Sequence, residues 1–268
     1  MFSILVLSLI VTQAPPQKLR WEPKLDIPVT GTLMLAWSLS EFGFKKQLTP
    51  EACRWCQTNG FDLAVRMLFN PTLTPSAQGF DRVDLASNLV GFGAIPLAML
   101  GIDALLAWQA GSFAETYPVD LVLMLEATFS ILDVNQATKF IAARARPFSI
   151  GASPELLAQG KDTPDSRLSF FSGHSTFTFA LVSSAATIAN LRGYKYGWVL
   201  WAVGLPLATT TAILRLAADK HWATDVMLGS ALGLAAGILM PTLLHGRVGP
   251  VTARVTPTAN GVVLAGQF

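Results

Sequence analysis

The sequence predicts an all-α, polytopic membrane helix bundle, and three observations lead there. Only 13% of the 268 residues are charged while 51% are apolar, against roughly 25% charged in a soluble domain. Mean hydropathy is +0.46, so much of the surface must be compatible with lipid. Five stretches are long and apolar enough to approach the ~20 residues a spanning helix needs. Nineteen basic against seventeen acidic residues give a net charge of +2, too balanced for a nucleic-acid surface.

Taken in order, residues 2–11 form a short apolar run ending in Thr-Gln-Ala-Pro-Pro. This resembles a signal-peptide core with a cut after Ala14, although no Lys or Arg precedes it. Residues 1–14 are therefore read either as a signal segment or as an N-terminal apolar segment. Residues 27–44 are apolar apart from Glu41 but short, and contain Pro28 and Gly31; spanning, re-entry and a surface position are all open. The five firm spans are 85–108, 119–143, 175–191, 196–214 and 226–244. The second holds Asp120, Glu126, Asp133 and Lys139. The two longest connections, 45–84 and 146–172, are where a site at a membrane surface would be built. Residues 15–245 read as one membrane domain. Residues 246–268 form a tail in which Asn260-Gly261 before Val262, Val263 and Leu264 suggests a hairpin.

Ionisable residues inside apolar segments are costly and mark functional candidates. Lys139 and Arg146 are seven apart in KFIAARARP, two turns of a helix and thus nearly one face, with Pro147 ending the helix. The plain alternative is a basic flank anchoring a membrane helix. In FSGH, residues 171–174, Ser172 is a natural N-cap whose helix offers free N–H groups and a positive dipole end to an anion. His174 would sit at the mouth, although a capping Ser beside a surface His is the commoner arrangement. In LRLAADKHWATD, residues 214–225, His221 and Asp225 are one helical turn apart, which lets the carboxylate take a hydrogen bond from one ring nitrogen. A buried ion pair is the alternative, disfavoured by neighbouring Arg215. Gly229, Gly233 and Gly237 continue the spacing as a small-residue stripe for close helix approach. Three cations and a helix N-terminus suit a phosphate; two His and one Asp suit nucleophile, acid and orienting group.

At these residues the sequence resembles the type 2 phosphatidic acid phosphatase family, related to the vanadium haloperoxidases. Its first motif is matched by Lys139, Arg146 and Pro147. Its second is matched by Ser172, Gly173 and His174, with Phe171 in place of Pro. Its third is matched by Arg215, His221 and Asp225, with Leu214 in place of Ser. The resemblance implies a six-helix all-α core and a metal-independent phosphatase without cofactors, acting on a lipid phosphate or diphosphate. By that analogy His221 is the nucleophile that forms a phosphohistidine, Asp225 orients it and His174 is acid and base. Lys139, Arg146, Ser172, Gly173 and Arg215 hold the phosphoryl group. Leu214 lacks the hydroxyl donor of the pattern, and Phe171 leaves the loop less rigid than Pro would. Phosphatidic acid, phosphatidylglycerol phosphate, an isoprenoid diphosphate and a lipid A phosphate all present the same chemistry to these motifs.

Two alternatives stand beside it. A vanadate-dependent haloperoxidase would use the same anion pocket, but such enzymes are soluble. A non-catalytic lipid-headgroup binder or transporter would not need both His and the Asp.

The loops carrying the motifs are separated by two spans and share one side, with Arg192 and Lys195 opposite. The positive-inside bias then puts the site outside the cytoplasm, fitting a bacterial inner membrane with a periplasm-facing site. Cys53 and Cys56 fall on the site side. A CxxC is redox-active, half a zinc site or a disulfide; an oxidising compartment without thioredoxin-like context favours a structural disulfide.

Overall fold

The computed structural model describes residues 15–73, 80–151 and 163–247, and the backbone of 252–258 and 261–267. Residues 1–14, with the candidate signal segment, lie outside the described residues.

The helices are α1 (Pro23–Ser38), α2 (Lys45–Leu48), α3 (Gly60–Phe69), α4 (Asp81–Asn88), α5 (Ile95–Gln109), α6 (Phe113–Ala142), α7 (Gly173–Arg192), α8 (Trp198–Ala217) and α9 (Ala223–Leu244). A π-turn, Leu39–Gly43, extends α1, and another, Leu89–Ala94, fuses α4 and α5 into one rod. Pro23 opens α1 at a position where its missing N–H costs nothing, and Glu22 accepts from Lys24 N–H as the cap. The tail forms an antiparallel hairpin, Thr252–Thr258 with Gly261–Gln267. Thr258 pairs with Gly261, so Gly261 belongs to the second strand and not to the turn that the Asn-Gly signal suggests.

Among the described residues, three helical rods are long and apolar enough to cross a membrane: Asp81–Gln109, Trp198–Ala217 and Ala223–Leu244. They expose Leu97, Trp108, Trp198, Ile213, Met227 and Leu243, as a lipid-facing surface requires. The other two firm stretches became α6 and α7, of 30 and 20 residues. Both are long enough but carry polar groups, which they turn inward. α7 is the central rod, wrapped by α6, α8 and α9, with residues from Ser175 to Ala189 almost continuously buried. Most of its hydroxyls bond back within the helix: Thr176 Oγ1 donates to Ser172 O at 2.8 Å and Ser183 Oγ to Phe179 O at 2.6 Å. A helix that meets protein on every side need not be uniformly apolar. Helix α1 packs along α6 and is not among the three rods.

The core lies between α5, α6, α7 and α8, around Ile95, Met99, Leu123, Met124 and Leu181. The glycine stripe of α9 lies against α7. A Cβ on Gly229 would stand 2.7 Å from Ser172 O, and one on Gly233 2.5 Å from Thr176 O. Gly233→Ala is therefore expected to cost about 1–3 kcal/mol by forcing the two helices apart, read as a lower thermal midpoint in detergent; an unchanged midpoint would contradict this packing.

The segment before α1 ties the far end of the bundle. Gln17 N–H donates to Arg192 O at 2.9 Å and Leu19 bridges to Arg247. Arg192, counted with Lys195 in the basic loop opposite the site, is buried against Asp120, with Nη2 2.6 Å from Oδ1. Lys195 alone of that pair leaves its charge outside the bundle.

Candidate active site

The opposite end, where α6 finishes and α7 and α9 begin, gathers most of the sequence-predicted residues around one cavity of about 460 Å3. Lys139, Arg146, Gly173, His174, Arg215 and His221 all line it.

Lys139 lies in the last turn of α6, but the helix stops at Ala142 and Ala143 is left-handed at φ 42°. Lys139 and Arg146 thus do not share a helical face, as their spacing suggested. Arg146 is extended at ψ 152°, the conformation forced on a residue before Pro, and this swings its side chain back over the cavity. Arg146 Nε donates to Asp165 O at 2.6 Å and Nη1 to Lys220 O at 3.2 Å. Pro147 comes too late to end the helix; it starts a short 3-10 turn, Pro147–Ser149.

Ser172 caps α7, its Oγ accepting from Ser175 N–H at 3.4 Å. It is fully buried and does not line the cavity. Gly173 follows, and a Cβ there would sit 2.9 Å from Lys139 Nζ and 3.1 Å from Asn135 Oδ1. The absent side chain is what lets the first N–H groups of α7 and the ammonium approach one point. His174 Nε2 lies 2.6 Å from Asn88 Oδ1, and its ring lies tilted against Phe92, with centroids 4.4 Å apart. Buried Phe171 accepts at its carbonyl from Asn135 Nδ2 at 2.7 Å, so the position that lacks Pro is held by packing and a hydrogen bond.

His221 sits in the connection between α8 and α9, one residue before the cap Trp222. It is not on a helix with Asp225, and the expected direct bond between them is not formed. His221 Nδ1 donates instead to Ser169 O at 2.8 Å, while Asp225 Oδ2 is 3.8 Å away. Because a carbonyl only accepts, this contact places the proton on Nδ1 and leaves the Nε2 lone pair on the cavity side. Nε2 is 3.4 Å from Arg146 Nη1. Burial, then the charges of Arg146 and Arg215, hold His221 well below its ordinary pKa of 6.5, which favours the neutral ring.

Asp225 is fully buried behind the histidine. It accepts from Trp222 N–H at 3.0 Å, Ser169 Oγ at 2.5 Å and Arg144 Nη1 at 2.5 Å. Ser169 thus links carboxylate and imidazole, its hydroxyl on one and its carbonyl on the other. Arg215 is anchored by Asp84 and by Ser87 Oγ, the latter at 2.8 Å. Leu214 does not line the cavity.

Five cations, Lys45, Lys139, Arg146, Arg215 and Lys220, face three carboxylates, Glu41, Asp84 and Asp165. Burial pushes Asp165 up, but Arg146 and Lys45 outweigh it and keep the carboxyl below the usual range. The surplus charge is positive, as a site for a polyanionic group requires. Asn88, Asn135 and Gln136 also line it, and the remaining wall is apolar: Trp37, Phe42, Phe92, Phe129, Leu132 and Phe177. Asn88, Asp84, Asp165, Arg144 and Ser169 escaped the sequence reading. Arg144 alone carried a signal, a cation midway between two assigned ones.

Cys53 and Cys56 are joined as a disulfide with Cα atoms 5.6 Å apart. Arg54 N–H between them donates to Ala143 O at 3.1 Å, fixing the loop to the end of α6.

Residues 120–248 match the family model of the PAP2 superfamily. The chain is similar to an undecaprenyl-diphosphatase of Sulfolobus acidocaldarius, 28% identical over 121 residues, which is 45% of this chain and 53% of that protein. It is also similar to a lipid A 1-phosphatase of Porphyromonas gingivalis, 38% identical over 72 residues, 26% of this chain and 15% of that one. The chain thus spans about half of the first relative's length and less of the second's. A crystal structure of a transmembrane PAP2 type phosphatidylglycerolphosphate phosphatase from Bacillus subtilis superposes with TM-score 0.45 at 17% identity, covering 80% of this chain and 93% of that one.

Proposed function

We propose, for a chain whose residues 120–248 match the family model of the PAP2 superfamily, that it is an integral membrane lipid phosphatase, with residues 15–245 as the catalytic domain. Its substrate is a lipid phosphate or diphosphate. The observation that carries this reading is the placement of His221, its Nδ1 on Ser169 O and its Nε2 beside Arg146, in a cavity with a cationic end and an aromatic wall. The cationic end fits the phosphoryl group and the aromatic wall fits the chain.

In the reaction, His221 Nε2 donates its lone pair to phosphorus and the P–O bond to the lipid breaks. The departing oxygen takes a proton from His174. Water then attacks the phosphohistidine, giving its proton to His174, and the N–P bond breaks to release phosphate. Lys139, Arg146, Arg215 and the Gly173 N–H hold the phosphoryl oxygens as their charge grows. The Nδ1–H bond to Ser169 fixes the ring, and Asp225 stabilises the positive charge that develops on it. None of these steps requires a metal ion.

The test is phosphate release by detergent-purified protein in the presence of chelator, from a panel of lipid mono- and diphosphates. Release is expected and ranks the substrates; none from any lipid by folded protein would overturn the reading.

The depressed pKa of His221 has a consequence for pH dependence. The nucleophile must be neutral, and a lowered pKa keeps it neutral into more acidic solution. The acid limb of kcat/KM set by this group therefore lies below pH 6.5. A limb above that value, with a substrate whose own ionisation lies elsewhere, would contradict the environment described.

We place the site outside the cytoplasm, supported by Lys195 at the opposite end and by the disulfide on the site side. Lys195→Cys, with Cys53 and Cys56 paired, is expected to react with an impermeant thiol reagent only after the membrane is opened. Labelling in intact cells would reverse the orientation.

A further inference from the structure

A second cluster of ionisable groups lies away from the catalytic candidates. Asp26 in the first turn of α1, Glu126 midway along α6 and His245 just after α9 are each more than nine-tenths buried. One ligand-type atom from each lies within 4.8 Å of the other two. They converge because the strand-like segment before α1 pairs with the chain leaving α9. Arg20 N–H donates to Gly246 O at 3.1 Å, and its guanidinium donates to Leu243 O at 3.0 Å.

The bonding leaves two buried polar atoms of this cluster without a partner. His245 Nδ1 donates to Arg20 O at 3.0 Å, which puts the proton on Nδ1 and, in the neutral ring, the lone pair on Nε2. Nε2 has no hydrogen-bond partner, and neither does Glu126 Oε2. The closest approach, Nε2 to Glu126 Oε1, is 3.6 Å, too long for a hydrogen bond. It is close to the ~3.4 Å edge of a tetrahedron whose metal–ligand bonds are about 2.0–2.1 Å. Backbone groups hold both kinds of ligand in place: Arg20 O takes the far nitrogen of the imidazole, and Glu22 N–H donates to Asp26 Oδ2 at 2.7 Å. A metal-bound His commonly has such a carbonyl behind it. The three groups edge a cavity of about 610 Å3, which leaves room for water as a fourth ligand.

We propose that Asp26, Glu126 and His245 bind one divalent transition-metal ion of the zinc class. One imidazole and two carboxylates form a mixed nitrogen and oxygen donor set that suits such an ion better than calcium or magnesium, which favour oxygen alone. The ion clamps the start of α1 and the end of α9 onto α6. It takes no part in the proposed hydrolysis, because its ligands lie outside the cavity that holds His221.

The test uses full-length, tag-free protein in detergent, stripped with chelator, incubated with Zn2+ and desalted before metal counting. The His221→Ala variant serves as background, so that metal at the active-site histidines is not counted. One equivalent of zinc is expected in that background, lost when His245→Gln or Glu126→Gln is added. Zinc at a hundredfold excess over its Kd should raise the thermal midpoint of the background protein by about 5 °C. Zinc content below one equivalent, or equal content with and without His245→Gln, or no rise in midpoint, would overturn the proposal and leave Glu126 and His245 as an ion pair. Should the added variants fail to fold, Co2+ in the His221→Ala protein decides. Intense visible bands of a tetrahedral site support the proposal, and their absence overturns it.

Discussion

His221→Ala is expected to reduce phosphate release by at least about a thousandfold, because it removes the only bond-forming atom of the proposed first step. The loss should be the same for every lipid on the panel, since all share the attacked phosphorus. The Ser169 carbonyl would lose its buried donor, at a cost of about 1–3 kcal/mol, so the variant must be shown to be folded by gel filtration before its rate is read. His174→Ala is expected to behave differently. Its proton goes to the departing oxygen, and a lipid alkoxide needs that proton far more than a departing phosphate does. The variant should therefore lose more activity on monophosphates than on diphosphates. Full activity in folded His221→Ala would sink the phosphohistidine route. Equal losses for His174→Ala on both substrate classes would remove His174 from the acid role.

Much of this site was legible because its residues recur at fixed spacing beside apolar runs. Lys139, Arg146, Gly173, His174, Arg215 and His221 do meet at one cavity. The local geometry inferred from spacing was less reliable, because it assumed that a helix continues between motif members. Between Lys139 and Arg146 the helix has already ended at Ala142, and between His221 and Asp225 it has not yet begun until Ala223. In both places tertiary hydrogen bonds set the side-chain direction: Arg146 to Asp165 O and His221 to Ser169 O. Asp84 and Asn88 come from α4, distant in sequence and without a motif, so only the fold reveals that they hold Arg215 and His174. The bundle was legible in outline from apolar length. The place of α7 was not, since a helix buried by its neighbours and a helix crossing lipid give different compositions, and α7 has the former.

Arg144→Met is expected to destabilise the protein by about 3–5 kcal/mol, the range for removing one partner of a buried ion pair. Arg144 is 1% exposed and bridges two carboxylates that have no exposure, donating from Nη2 to Asp62 Oδ2 at 2.6 Å and from Nη1 to Asp225 Oδ1 at 2.5 Å. Its guanidinium also lies over Trp55, 4.1 Å from the ring centroid. Methionine keeps much of the volume and the contact with Trp55 but leaves both carboxylates without this cation. Adding Asp62→Asn should recover part of the loss, since one uncompensated charge is removed, while the charge on Asp225 persists. Thermal unfolding in detergent reads both variants, and a change of less than about 1 kcal/mol would contradict the buried network. The catalytic effect follows from the same contacts. Asp225 holds Ser169 through its hydroxyl, and Ser169 holds the imidazole through its carbonyl. Where the folded Arg144→Met protein can be assayed, kcat should fall more than KM rises, because the disturbed group orients the nucleophile and does not touch the lipid.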